Sequence, residues 1–195
     1  MKKIILSVFI TGSLISVQAN FFQYSVTLNG PNESPANGSP GTGFGTVNYD
    51  DVAHSLQLQV SFTNLTGTTT ASHIHAATVI PGAGTAGVAT TTPSFAGFPL
   101  GVTFGSFSNT LDLTSSSSWN AAYITANGGT PASAESALAS AMAAGTAYWN
   151  IHSSTFGGGE IRGFLTPVPE PGTIALAGLS AGALAVCAWK KRRAK

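Results

Sequence analysis

The chain has 195 residues, with 8 Lys and Arg, 7 Asp and Glu and one cysteine, Cys187. Seven of the cations lie near the two ends, so residues 20–167 hold six acids and one cation, Arg162, which gives a net charge of −5. This excludes a nucleic-acid binder, which needs a basic face for phosphates. The single cysteine excludes an intrachain disulfide framework, and the length suits one domain with targeting segments.

Residues 1–19 have the pattern of a secretory signal peptide. Two lysines precede the apolar run Ile4–Ile15, and Val17-Gln18-Ala19 offers the small residues that signal peptidase requires. We therefore expect cleavage near Asn20 and a mature chain outside the cytoplasm. A buried first strand or helix is the alternative interpretation of the same run.

Residues 20–167 are expected to form an all-β domain. Phe22–Leu28 and Leu56–Phe62 alternate apolar and polar residues, which is the pattern of half-buried strands. Asp50-Asp51 is expected to join the second of these to a hairpin partner at Phe44–Tyr49. Frequent turn signals separate the short strands, and this predicts a β-sandwich or barrel. Further strands are predicted at residues 72–76, 101–108, 147–152 and 161–165.

Two short helices are predicted within the β-domain. Ser115–Ala126 is the weaker candidate, whereas Ala132–Ala144 follows a capping residue, Thr130, and a proline suited to the first turn, Pro131. Gly145 suits the end of that helix. The low-complexity segments 63–70 and 83–93 are expected to be mobile loops.

His73-Ile74-His75 is a candidate metal-binding motif. Residues i and i+2 of a strand project from one face, so the two imidazoles could bind a single ion, with His152 as a third ligand. A single copper or zinc ion would need the three nitrogens about 3–4 Å apart. The alternative is that the histidines hydrogen-bond to loop backbone and to Glu160. The sequence requires no cofactor.

The segment Glu160-Ile161-Arg162-Gly163 is a candidate structural motif. In a strand Glu160 and Arg162 would share a face, and a partly buried pair between Arg162 and a carboxylate would fix the closing strand. A catalytic role for Arg162, guiding an anion, is the weaker interpretation.

Several blocks together resemble the CHRD domain, a family named after chordin and common in secreted bacterial proteins. The blocks are Leu28-Asn29-Gly30 with Glu33-Ser34-Pro35, His73-Ile74-His75, Ala137-Leu138, residues 145–152 (GTAYWNIH) and residues 159–165 (GEIRGFL). The resemblance covers residues 20–166 and implies an immunoglobulin-like β-barrel with limited similarity to Cu,Zn superoxide dismutases. It also implies a binding module rather than an enzyme.

The similarity to Cu,Zn dismutases is restricted to the three histidines. His73, His75 and His152 match the pattern of copper ligands, but residues 77–149 contain no histidine for a bridging imidazolate or a separate zinc site. This argues against a two-metal dismutase and leaves a mononuclear site open. His54, beside the Asp50-Asp51 turn, is expected to be a solvent-facing loop residue.

Residues 168–195 resemble the PEP-CTERM sorting signal of Gram-negative bacteria. Pro169-Glu170-Pro171 is followed by an uncharged run at residues 173–189, long enough to span a bilayer as a helix, and by a basic tail at 190–195. The resemblance implies recognition and cleavage by an exosortase after transient anchoring in the inner membrane. A permanent single-span anchor is the alternative.

The sequence as a whole predicts a secreted, non-catalytic CHRD module that signal peptidase and an exosortase process. Its destination would be the cell surface, outer envelope or extracellular matrix, where polysaccharide or protein are candidate partners. The alternative is a mononuclear copper or zinc protein. A hydrolase has little support, because residues 20–167, the predicted β-domain, contain no Gly-x-Ser-x-Gly nucleophile elbow.

Overall fold

The computed structural model describes residues 21–169, which form one curled antiparallel sheet with two short α-helices. The strands are β1 Phe21–Asn29, β2 Thr42–Asp50, β3 Ser55–Thr63, β4 Thr69–His75, β5 Gly105–Asp112, β6 Tyr148–Ser153, β7 Ile161–Phe164 and β8 Thr166–Pro167. Their order in the sheet is β4-β6-β7-β1-β2-β3-β5, and β8 pairs with β1. This confirms the all-β prediction.

The core lies on one face of the sheet, as the period-two patterns predict. In β3 every second side chain is buried and the residues between are exposed or partly exposed, and the predicted hairpin with β2 is present. Burial of each large aliphatic side chain contributes about 1.5–3 kcal/mol, so the pattern also sets the strand register. The buried residues of β1, β3 and β6 that form this core include Val26, Leu28, Leu56, Leu58, Val60, Phe62, Trp149 and Ile151.

The stronger helix prediction is confirmed in detail. Helix α2, Pro131–Ala143, begins with a capping box between Thr130 and Ser133, and Gly145 follows it with a φ of 68°. The weaker prediction, a helix at 115–126, is only partly correct. A 3-10 turn covers Ser116–Ser118, and α1 covers Ala121–Ala126, because the side chain of Asn120 accepts from the amide of Ala122 and begins a new helix there.

Two other predictions differ from the structure. The predicted strand at 101–108 lies four residues further along, at β5, because the amides of Leu65 and Thr69 donate to the carbonyls of Thr103 and Val102. These bonds hold 101–103 beside the start of β4. Within the predicted mobile loop 83–93, Ala89 and Thr90 are fully buried and the amide of Ala89 donates to the carbonyl of Ile74 in β4, whereas residues 83–85 are exposed.

Several predicted segments lie outside the described residues. These are the signal peptide at 1–19, the span at 173–189, the tail at 190–195 and the sorting-motif residues Glu170 and Pro171, whereas Pro169 is the last described residue. Within residues 21–169, the helices are too short and too polar to cross a bilayer.

Candidate metal centre

Strands β4 and β6 bring the three predicted histidines together. The antiparallel register pairs Ala71 with His152 and His73 with Asn150, so the histidines share one face of the sheet. Ile74 and Trp149, which alternate with them, are fully buried on the opposite face in the core. The histidines therefore lie on the outer side of the sheet, beneath loops.

The three imidazoles converge on a common point. One ring nitrogen from each of His73, His75 and His152 lies within 4.8 Å of the others, and the ring centroids are 5.1 to 5.9 Å apart. Three nitrogens placed about 2 Å from one ion would be about 3.5 Å apart, so binding requires the rings to draw together by about 1 Å. The spacing is wider than the expected 3–4 Å but within reach of small side-chain rotations.

Loop carbonyls hold the second nitrogen of each ring. Nε2 of His73 lies 2.6 Å from the carbonyl oxygen of Pro93, Nδ1 of His75 lies 3.0 Å from that of Ala86, and Nδ1 of His152 lies 3.0 Å from that of Gly157. A carbonyl can only accept, so these nitrogens carry the protons. The predicted bonding to loop backbone is thus present, but Glu160 takes no part in it.

The remaining nitrogen of each ring is a free acceptor. Nδ1 of His73 and Nε2 of both His75 and His152 are buried, and they have no hydrogen-bond partner within the described residues. An N–H bonded to a carbonyl opposite a free lone pair is the arrangement of metal-binding histidines. Hydrogen bonding to the backbone therefore satisfies one of the two nitrogens of each imidazole and leaves the other without a partner in the described residues.

The environment keeps these rings neutral. Burial lowers the pKa of His75 to about 4, and the positive charge of Arg162 and the other two histidines act in the same direction, while the bond to Ala86 opposes them. Burial also lowers the pKa of His73 and of His152. All three are therefore unprotonated near pH 7, which is the form that binds metal.

Tyr148 supports His75 from β6. The two rings stack with centroids 4.8 Å apart and planes 8° apart, and the Tyr148 hydroxyl contacts both the amide and the carbonyl of Ala86. Ala86 is the residue whose carbonyl accepts from His75. The guanidinium of Arg162 also lies over the Tyr148 ring, 4.7 Å from its centroid. This stack fixes the orientation of one ligand.

Arg162 and Glu160 have separate partners. Arg162 Nη1 and Nε donate to the carbonyls of Gly84 and Asn32, and its nearest carboxylate is Glu33, 3.7 Å away. Glu160 lies one residue before β7 and Arg162 is the second residue of that strand, and their side chains bind different partners rather than forming the predicted motif together. The predicted contact between a buried Arg162 and a carboxylate is present, but the carboxylate is that of Glu33, which is far from Arg162 in sequence.

Glu160 is fully buried and joins three segments. Its carboxylate accepts from the Ser39 hydroxyl and from the amides of Thr66 and Gly67. Burial alone would raise its pKa, but these bonds and one from Ser153 keep the pKa below its usual value. The carboxylate of Glu160 therefore connects the segments of Ser39 and of Thr66 and Gly67 to the start of β7, which is a structural role.

Gly163 completes the predicted structural motif. A Cβ at this position would overlap the carbonyl oxygen of Thr27 in β1, so the close approach of β7 to β1 requires glycine.

His54 lies in a turn, as predicted, but it has a partner. Its Nδ1 is 3.0 Å from both carboxylate oxygens of Glu135 in α2, and the hydroxyl of Tyr49 donates to the same carboxylate at 2.9 Å. This contact links α2 to the β2–β3 hairpin, more than 80 residues away in sequence, and is separate from the three-histidine cluster.

The fold and this cluster together define an all-β domain that carries a buried, loop-covered set of three histidines. Family comparison finds two regions: the model of the CHRD domain matches residues 24–165, and that of the PEP-CTERM protein-sorting motif matches residues 167–193. The chain belongs to the CHRD family. No curated protein and no solved structure matches it.

Proposed function

We propose that the CHRD domain of this exported protein binds one copper or zinc ion through His73, His75 and His152, and that it serves as a metal-binding module rather than as an enzyme. The observation that carries the proposal is a cluster of three histidines whose ligand nitrogens lie within 4.8 Å of one another, and each of these rings keeps one buried nitrogen without a hydrogen-bond partner in the described residues. Leaving such acceptors unpaired costs about 1–3 kcal/mol each, and a bound ion would satisfy all three.

Export and sorting set the context of this proposal. A CHRD domain followed directly by a PEP-CTERM motif identifies an exported protein that an exosortase sorts through a transient C-terminal anchor. We propose the cell surface or extracellular matrix as the final location, with a matrix polysaccharide or protein as the neighbour there.

Burial of the site favours binding over turnover. The free nitrogens lie beneath the loops that supply Ala86, Pro93 and Gly157, so a substrate would have to displace these loops to reach the ion. An ion held in this way would tie the loops to the sheet and stabilise the domain, since ligands that bind only the folded state add to its stability.

The test is metal analysis of the full chain purified in detergent. After equilibration with copper and with zinc, we expect one ion per chain for the wild type and loss of the ion for His75→Ala. His54→Ala is the matched control, because it removes the one histidine outside the cluster and should keep the ion. A wild type without bound metal, or equal metal content in His75→Ala, would contradict the proposal.

A further inference from the structure

We infer that the ion is monovalent copper, Cu(I), bound by the three imidazoles alone, and that the site discriminates against Zn(II). This inference rests on the proposed function and narrows it. Imidazole binds both metals well, so the ligand type does not choose between them. The coordination number, the charge of the surroundings and the spacing of the ligands distinguish Cu(I) from Zn(II) at this site.

The site offers three ligands. Within the part of the chain that the structure describes, the group of converging metal-ligating side chains consists of His73, His75 and His152, without a carboxylate or a thiolate. Zinc is almost always four-coordinate and would need a water as its fourth ligand. The free nitrogens are buried, which leaves such a water little access. A closed-shell cuprous ion is stable with three ligands.

The charge of the surroundings also disfavours a divalent ion. The three ligands are imidazoles without formal charge, and the nearby guanidinium of Arg162 lies 4.7 Å from the centroid of the Tyr148 ring that stacks on His75. Glu160, which could have balanced the charge, gives its carboxylate to Ser39 and to backbone amides instead. The cost of transferring an ion from water into a buried site scales with the square of its charge, so it is about four times larger for Zn(II) than for Cu(I).

Ligand spacing points the same way. A planar set of three nitrogens about 2 Å from the ion has nitrogens about 3.5 Å apart, slightly wider than in a tetrahedral site. The observed nitrogens are spread over as much as 4.8 Å. The flatter cuprous arrangement therefore needs the smaller movement of the rings and of the loop carbonyls that hold them.

The experiment compares the two ions on the full chain in detergent. Cu(I) affinity is measured by competition with a colorimetric cuprous chelator under anaerobic, reducing conditions, and Zn(II) affinity with a fluorescent zinc chelator. We expect Cu(I) to bind one per chain and at least about 100-fold more tightly than Zn(II), with loss of Cu(I) binding in His75→Ala and retention in His54→Ala.

The outcomes separate this inference from the proposed function. Zinc binding as tight as or tighter than Cu(I) binding would overturn the inference and leave the metal-binding proposal intact. Binding of neither ion would overturn both.

A second variant tests the charge argument directly. Asn150 lies opposite His73 and two residues before His152, on the same face, and its Oδ1 has no hydrogen-bond partner in the described region. Asn150→Asp places a negative charge beside the ligands, and we expect it to reduce the preference for Cu(I) over Zn(II) at least about tenfold. An unchanged preference in a folded variant would show that charge does not select the ion.

Discussion

Glu33 shows that burial can outweigh a neighbouring opposite charge. Its carboxylate lies 3.7 Å from Nε of Arg162, yet burial raises its pKa to about 7, against the opposing effects of Arg162 and of the Ser34 amide. The guanidinium is directed at the carbonyls of Asn32 and Gly84 rather than at the carboxylate. Below neutral pH the carboxyl group of Glu33 is therefore mostly protonated, and its contact with Arg162 is mostly not an ion pair.

This pKa predicts a pH-dependent contribution to stability. The folded-state pKa of Glu33, about 7, lies above the ordinary value of 4.5, so the folded chain binds more protons between these limits. The contribution of Glu33 is therefore fully present below about pH 4.5, and it is lost as the pH rises to about 7. The loss amounts to at most roughly 3 kcal/mol.

Glu33→Gln should remove this dependence, because the amide does not titrate. The measurement is urea unfolding of wild type and variant in detergent at about pH 5 and pH 8. We expect the variant to gain stability relative to the wild type at the higher pH. Parallel pH dependence in the two proteins would refute the assignment, and comparison at equal pH cancels the titration of the histidines.

At this scale the ligands could be predicted from the sequence, but their supports could not. His73 and His75 are two apart, which places them on one face of any strand. The sequence did not indicate which carbonyls would accept from the imidazoles, because every residue type has a backbone carbonyl. Only the path of the loops places those of Ala86, Pro93 and Gly157 beside the rings. Tyr148 was detectable in principle, since it lies two and four residues before Asn150 and His152.

Among the elements, the junction of β7 with β1 is the most restrictive. Besides the overlap with Thr27, a Cβ at Gly163 would lie 2.8 Å from a methyl group of Val26. Backbone contact cannot be relieved by a rotamer change, so the strands would have to separate. That movement would displace Arg162 and the loops it holds.

Gly163→Ala is therefore expected to destabilise the domain by about 3 kcal/mol or more. Gly158→Ala is the matched control, because a Cβ there meets no atom within 4 Å, and we expect a change within about 0.5 kcal/mol. Urea unfolding followed by tryptophan fluorescence would measure both. Similar midpoints for the two variants would show that β7 and β1 tolerate wider spacing.

A strand or helix could be predicted from the sequence where a local pattern, such as the alternation of apolar and polar residues, decided its structure. Strand β3 was predictable because its alternation is uninterrupted from Leu56 to Phe62. Strand β5 was displaced because hydrogen bonds between 101–103 and the distant residues Leu65 and Thr69 decided where it begins. The helix predicted at 115–126 was divided at Trp119 and Asn120, because Trp119 forms a β-bridge with Thr90 and the amide of Asn120 donates to the carbonyl of Ala89. Long-range contacts of this kind leave no local pattern.

For the whole molecule, the folded domain and the sorting signal meet without a linker. Strand β8 pairs Pro167 with Tyr24 of β1, and the amide of Val168 still donates to the carbonyl of Gln23. Pro169, the first residue of the sorting motif, follows at once. A protease that recognises this motif must therefore act directly beside the edge of the β-domain.

Replacement of Pro169, Glu170 and Pro171 by alanine should block processing without affecting the fold, because the matched CHRD domain ends at residue 165. In a host with an exosortase we expect the variant to remain membrane-associated at its unprocessed mass, with the metal content of the wild type. Thr166→Ala, which lies between the two matched regions, should be processed normally. Immunoblotting of membrane and medium fractions measures this, and equal release of the triple variant would show that a different feature of the C-terminus directs sorting.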